Sequence, residues 1–94
     1  MAHSLSLLAE QDIESISNYI QSDNPRAALK WLTGLEKSFD LLAQNPMMGY
    51  LRPSLTAFPV RFWPYGNYLI VYTITHLVEI QRVLHGYRNI QNLI

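Results

Sequence analysis

The segment Tyr68 to Ile74 reads Y-L-I-V-Y-T-I, without a charge and apolar in both alternating phases. A strand with one wet face alternates apolar and polar, so a run like this one must be covered on both sides. Such a strand belongs at the centre of a sheet, and the rest of the chain has to supply its neighbours and a covering layer. Gly66-Asn67 just before it is a good hairpin turn. Val60 to Pro64 is then the preceding strand, short and bounded by prolines, which implies limited pairing. Thr75-His76 forms a second tight turn into a last strand, Leu77 to His85. There Val78, Ile80 and Leu84 share one phase and Arg82 breaks it, which suggests a buried arginine paired with an acid such as Asp12 or Glu79. Gly86 ends that strand, and Tyr87 to Ile94 is a tail.

The covering layer comes from the first half. His3 to Leu7 suits an edge strand, and Ser6 a helix N-cap, with Glu10 and Asp12 placed well for the helix dipole. Ala9, Ile13, Ile16 and Ile20 recur at helical spacing, which predicts a helix over about Leu7 to Ser22. Asn24 and Pro25 start a second helix, in which Ala28, Trp31, Leu32, Leu35, Phe39 and Leu42 form one stripe up to Pro46. The link is too short for anything but a helical hairpin. Asn45 to Pro59, with three prolines and Gly49, reads as a loop. The expected architecture is one α+β domain over residues 1–94, in the order βααβββ, with a two-helix hairpin packed on a small antiparallel sheet.

Composition narrows the function. Of 94 residues, 49% are hydrophobic and only 15% charged, against about 25% charged in ordinary domains. Surplus apolar surface of this kind usually meets a partner. The absence of cysteine excludes disulfides and thiolate metal sites. No apolar run is long enough for a membrane span and no signal peptide is visible, so the cytoplasm is the expected compartment. The histidines, His3, His76 and His85, are far apart and the glycines single, so neither a metal site nor a phosphate loop is expected, and no cofactor. Net charge is zero, yet residues 1–50 hold six acids against Arg26, Lys30 and Lys37, while residues 51–94 hold Arg52, Arg61, Arg82 and Arg88 against Glu79. Seven of the eleven aromatic residues also lie in that second half. Arginine with aromatics marks contact surfaces. Arg61, Arg82, His85, Tyr87 and Arg88 therefore form the candidate cluster: arginines to hold an anion, a histidine to move a proton, a tyrosine to stack.

These segments together resemble a known family. Ser6 to Ile20 (S-L-L-A-E-Q-D-I-E-S-I-S-N-Y-I) is similar to the first helix of ParE/RelE-type toxins of bacterial type II toxin–antitoxin (plasmid stabilization) systems. N-P-R-A-A, L-L-A-Q-N-P-M-M-G-Y-L-R-P and Y-L-I-V-Y-T-I continue the likeness, and I-Q-R-V-L-H-G-Y-R-N, Ile80 to Asn89, resembles the ParE branch, whose chains tend to end in R-V-L-H-G-x-R. Tyr87 departs from that pattern, where a small residue is commoner. The resemblance implies a growth-inhibiting toxin neutralised by a cognate antitoxin, ParD-like or another DNA-binding type, in a toxin–antitoxin hetero-oligomer. ParE-like members act on DNA gyrase without cleavage chemistry; RelE-like members are ribosome-dependent mRNA endoribonucleases. The ribonuclease branch has an arginine just before its L/I-V-Y core, where this chain has Leu69. A gyrase inhibitor with target-binding residues Arg61, Arg82, His85, Tyr87 and Arg88 is thus expected, and no direct nucleic-acid binding. The alternatives are a ribonuclease using His85 and Arg88, and an inactive homologue that only binds antitoxin. Antitoxin contact is expected on the hairpin, at Ile13, Ile16, Tyr19, Ile20, Trp31 and Leu35.

Overall fold

A computed structural model describes residues 3–54 and 56–86. Its elements are β1 (His3–Leu5), α1 (Leu7–Asp23), α2 (Pro25–Gln44), a 3-10 turn (Pro46–Met48), β2 (Tyr50–Leu51), β3 (Arg61–Tyr65), β4 (Tyr68–Ile74) and β5 (Val78–His85). The five strands form one sheet in the order β1-β5-β4-β3-β2. The apolar run of β4 lies near the middle, as its composition requires.

Local signals act as expected in the hairpin. Ser6 caps α1, its Oγ accepting from the Ala9 N–H at 3.0 Å. Asn24 closes α1 through its own N–H to the Ile20 carbonyl, and caps α2 with its side chain, which accepts from the Arg26 and Ala27 N–H groups. One residue thus ends a helix and starts the next. The turn between β3 and β4 is Gly66-Asn67, with Gly66 at φ +59°, a left-handed conformation that glycine adopts at no steric cost.

The sheet departs from the sequence expectation in three ways. First, it is mixed: β1 runs parallel to β5, with His3 opposite Val78 and Leu5 opposite Ile80. The ladder continues into the helix start, because the Ser6 N–H donates to the Ile80 carbonyl at 2.9 Å. The entry into α1 therefore sets the direction of β1. Second, part of the supposed loop is a strand. Tyr50 and Leu51 pair with Phe62 and Arg61, so β3 is flanked on both sides rather than weakly paired. Pro64, which lacks an N–H, lies beyond the stretch that β2 covers. Third, Leu84 does not share a phase with Val78 and Ile80. Register shifts between Val71–Arg82 and Tyr72–Ile80, leaving Gln81 as an extra residue. This β-bulge reverses the alternation. Val78, Ile80 and Val83 join one buried cluster, and Leu84 joins the other.

Those two clusters lie on opposite faces of β4. Ile70 and Tyr72 belong to the hairpin-side core with Ala9, Leu35, Phe39 and Leu42. Leu69 and Val71 pack with Val60, Phe62 and Leu84 on the other side. Two tyrosines bolt the hairpin-side layers together. Tyr72 Oη donates to the Pro46 carbonyl at 2.6 Å and accepts from the Gly49 N–H at 2.9 Å. Tyr65 Oη donates to the Trp31 carbonyl in α2 at 2.8 Å. Tyr65 can reach that carbonyl only because residue 34 is glycine, since a Cβ there would collide with the Tyr65 hydroxyl.

Two predictions follow from these anchors. Glycine inside a helix normally costs about 1 kcal/mol relative to alanine. At Gly34 the sign is expected to reverse: Gly34→Ala should lower stability by about 1–3 kcal/mol in urea denaturation, because Tyr65 must leave its bond. The second concerns alkaline pH. Burial raises the Tyr72 phenol above its usual 10.0, against smaller opposing effects from the Gly49 N–H and Arg61, and burial likewise raises Tyr65. The folded chain then holds these protons at pH values where the unfolded chain has lost them. That stability is fully present below pH 10 and falls as pH rises through the shifted range. Thermal melts should decline above pH 10 in step with late phenolate absorbance, and Tyr72→Phe should blunt the effect.

Candidate functional site

Most of the contacts that position the candidate residues start at α1. Asp12, on the second turn of that helix, meets β5 just past the bulge. The Arg82 guanidinium donates through Nε to Asp12 Oδ2 at 2.8 Å and through Nη2 to Oδ1 at 2.9 Å. The Val83 N–H donates to the same Oδ2 at 3.0 Å. Both charged side chains are 16% exposed. This two-pronged geometry is the strong form of a carboxylate–arginine bond, and Asp12 holds the guanidinium above its ordinary pKa despite burial. Ser6 completes the junction by donating from Oγ to the Gln81 carbonyl at 2.7 Å. Three successive residues of β5, Gln81 to Val83, are thus held by two side chains around the N-terminal half of α1, where β1 no longer pairs. Of the two acids expected to hold Arg82, Asp12 does so; Glu79 accepts from the Thr75 hydroxyl.

Arg61 is also engaged by the fold. Its Nη1 donates to the Gly49 carbonyl at 2.7 Å and, at longer range, to that of Met47 at 3.5 Å. It braces the same Gly49 segment that the hydroxyl of Tyr72, its cross-strand partner, also holds. Arg61 pairs with Tyr72, whereas His85 pairs with Tyr68, four residues along β4. At about 3.3 Å per residue that is about 13 Å along the sheet, before the width of the intervening strand β4. Arg61 and His85 therefore sit towards opposite ends of the sheet.

His85 lies at the open end, exposed, with its ring stacked on Tyr68 (centroids 5.0 Å apart, planes at 30°). Ser15, Ile16 and Tyr19 of α1 line the same cleft, of about 310 Å³. Tyr68 also meets the Trp31 ring edge-on at 5.3 Å. Tyr68 is a member of this site that the sequence pattern did not single out. Its pairing with His85 depends on the bulge, and nothing in the sequence marks the bulge except the broken phase at Arg82. Tyr87 and Arg88 lie outside the described residues.

The hairpin residues divide by accessibility. Tyr19 is 76% exposed, Ile13, Ile16, Ile20 and Trp31 are half-buried, and Leu35 is 1% exposed in the core. A segment bound to the hairpin would reach Tyr19 and the rims of Ile13, Ile16 and Ile20, but not Leu35. Among the described residues no group of three metal-ligating side chains comes together, and no helix is long and apolar enough to cross a membrane.

This fold, two antiparallel helices over a five-stranded mixed sheet, is also that of a solved structure described as a chromosomal ParDE TA system from P. aeruginosa. The match has a TM-score of 0.75 at 21% identity, over 92% of this chain and 96% of that one. No curated protein sequence matches. Residues 4–90 match the family described as the ParE toxin of the type II toxin–antitoxin system, parDE. The chain belongs to this ParE toxin family.

The Asp12 junction yields a prediction. Removing one partner of a part-buried, hydrogen-bonded ion pair leaves the other only partly compensated by water, at a cost of about 1–3 kcal/mol. Asp12→Ala should lose stability in that range by chemical denaturation, since it also orphans the Val83 N–H. Arg82→Lys should lose less, keeping the charge but not the fork.

Proposed function

We propose that this chain, a ParE-type toxin, acts in the cytoplasm by inhibiting DNA gyrase, and that a cognate ParD-like antitoxin silences it in a toxin–antitoxin hetero-oligomer. The observation that carries the choice of target is Leu69. The resembling ribonuclease branch has an arginine at this point, aimed at RNA. Here Leu69 is 1% exposed and packs in the second apolar cluster. The two arginines of β3 and β5 do not replace it, since Arg61 holds backbone carbonyls and Arg82 holds Asp12. A neutral chain also lacks the surplus positive charge that ribosomal RNA rewards. The reading therefore needs no cofactor and no direct nucleic-acid contact.

On this reading the target surface lies at the open end of the sheet, around His85 and Tyr68, with Tyr87 and Arg88 as further contacts, while Arg61 and Arg82 act by shaping the sheet. The antitoxin would cover the exposed hairpin surface about Tyr19, reaching the edges of Ile13, Ile16, Ile20 and Trp31.

The test is a gyrase supercoiling and cleavage assay with purified, antitoxin-free chain. Inhibition is expected, and His85→Ala should weaken it with an unchanged melting temperature. Message cleavage in a translating extract, with gyrase untouched, would favour the ribonuclease alternative with His85 and Arg88. Expression without growth arrest, together with retained antitoxin binding, would favour an inactive homologue.

A further inference from the structure

The tyrosine hydroxyls of this chain divide by use. Those of Tyr65 and Tyr72 are spent on carbonyls of the fold. The hydroxyls of Tyr19 and Tyr68 make no hydrogen bond with a described residue, and neither do the Ser15 hydroxyl and the His85 ring nitrogens. These four side chains line one cleft, of about 310 Å³, together with Ile16. Ser15 and Ile16 lie one helical turn before Tyr19, so the three form the α1 wall. Tyr68 and His85, cross-strand partners on β4 and β5, form the sheet wall. The Tyr68 ring is fixed there, with the Trp31 ring edge-on at 5.3 Å and the His85 ring stacked at 5.0 Å. His85 and Tyr19 are both exposed. The cleft thus offers ring faces and unspent neutral hydrogen-bonding groups to whatever enters it.

Charge and size select the occupant. No aspartate, glutamate, lysine or arginine lines the cleft. A carboxylate or phosphate would lose its water there without meeting a cation, and an arginine without meeting an acid. An uncharged ring loses little water and gains stacking beyond its buried area. The volume is at the small end of ligand pockets, with room for one ring-bearing side chain and not for a helix.

We propose that this cleft receives one polar aromatic side chain, a tryptophan or tyrosine, projecting from the polypeptide that the toxin targets. Its ring packs between Tyr19 and the Tyr68–His85 stack, and its N–H or O–H meets the unspent groups of the walls. The assignment rests on the target surface lying at His85 and Tyr68, as proposed above, but not on that target being gyrase. A polypeptide fits better than a nucleic-acid base, because a base arrives tied to phosphates that need cations close by. Two arginines of the sheet are already committed, Arg82 to Asp12 and Arg61 to the Gly49 carbonyl.

The test titrates the full chain, labelled with carbon-13 in its aromatic rings, and reads the ring signals of Tyr19, Tyr68 and His85 by NMR. The probes are N-acetyl-tryptophanamide, N-acetyl-tyrosinamide, the corresponding leucine and arginine amides, and uridine monophosphate. At least one of the two aromatic amides should give saturable shifts in these rings, and bind more tightly than the other three probes. Tyr19→Ala and His85→Ala, which truncate exposed side chains, should each weaken that binding about threefold or more at an unchanged melting temperature. The readout contains no gyrase, so a chain that binds the aromatic amide yet leaves gyrase untouched would sink the gyrase reading alone. Absence of saturable shifts, an equal response to the leucine amide, or tighter binding of the arginine amide or the nucleotide would each overturn the proposal.

Discussion

The carboxylate of Asp12 is the contact on which the arrangement of helices and sheet depends. It accepts from two nitrogens of Arg82 and from the Val83 N–H, joining the first helix to the last strand across seventy residues of chain. Edge positions of a sheet carry unpaired backbone groups that must be answered. Strand β1 answers those of β5 only as far as Ile80, and Ser6 and Asp12 take over from there. The bulge at Gln81 brings this about. It turns the Gln81 carbonyl to Ser6 and places Arg82 against Asp12, while passing Val83 back to the core.

The same economy governs the other polar anchors. Tyr72 and Tyr65 each put a hydroxyl at the boundary between layers, one on the segment after α2 and one on α2 itself. Arg61 adds to the Tyr72 anchor by holding the Gly49 carbonyl. A chain with so few charges has little polar material to fix the orientation of its layers, and it uses hydroxyls, one carboxylate and two arginines to do so. Apolar residues then fill both faces of β4, while others, Tyr19 and Leu29 among them, stay on the hairpin surface. In a family whose toxins pair with antitoxins, such a surface has a use.

The arginines of the second half do not form one surface. Their enrichment beside aromatics reads, in sequence, as a single contact surface. In the fold, Arg61 and Arg82 are structural, at separate places, and His85 with Tyr68 forms the accessible aromatic end. Among the described residues, Arg26, Lys30 and Lys37 on α2 are exposed and make no ion pair, and their stripe is visible in the sequence once the helix is placed.

The helical hairpin, its caps at Ser6 and Asn24, the turn at Gly66 and the doubly covered strand β4 were legible because each rests on local chemistry or on a short period. A side-chain oxygen near free N–H groups, a 3.6-residue stripe and an uninterrupted apolar run need no knowledge of distant residues. Family resemblance was legible for a related reason, since it is a series of such local segments in order. The parallel direction of β1, the pairing of Tyr50 and Leu51, the bulge and the choice of Asp12 over Glu79 were not. Each depends on which backbone groups remain unpaired once the layers have met, and a one-residue shift in register changes that everywhere along the strand. The sequence by itself therefore determined the helices, the main strands and the class of protein, while only the tertiary structure decided the short strand β2, which arginines hold the fold and which surfaces remain open, because these depend on contacts between distant segments.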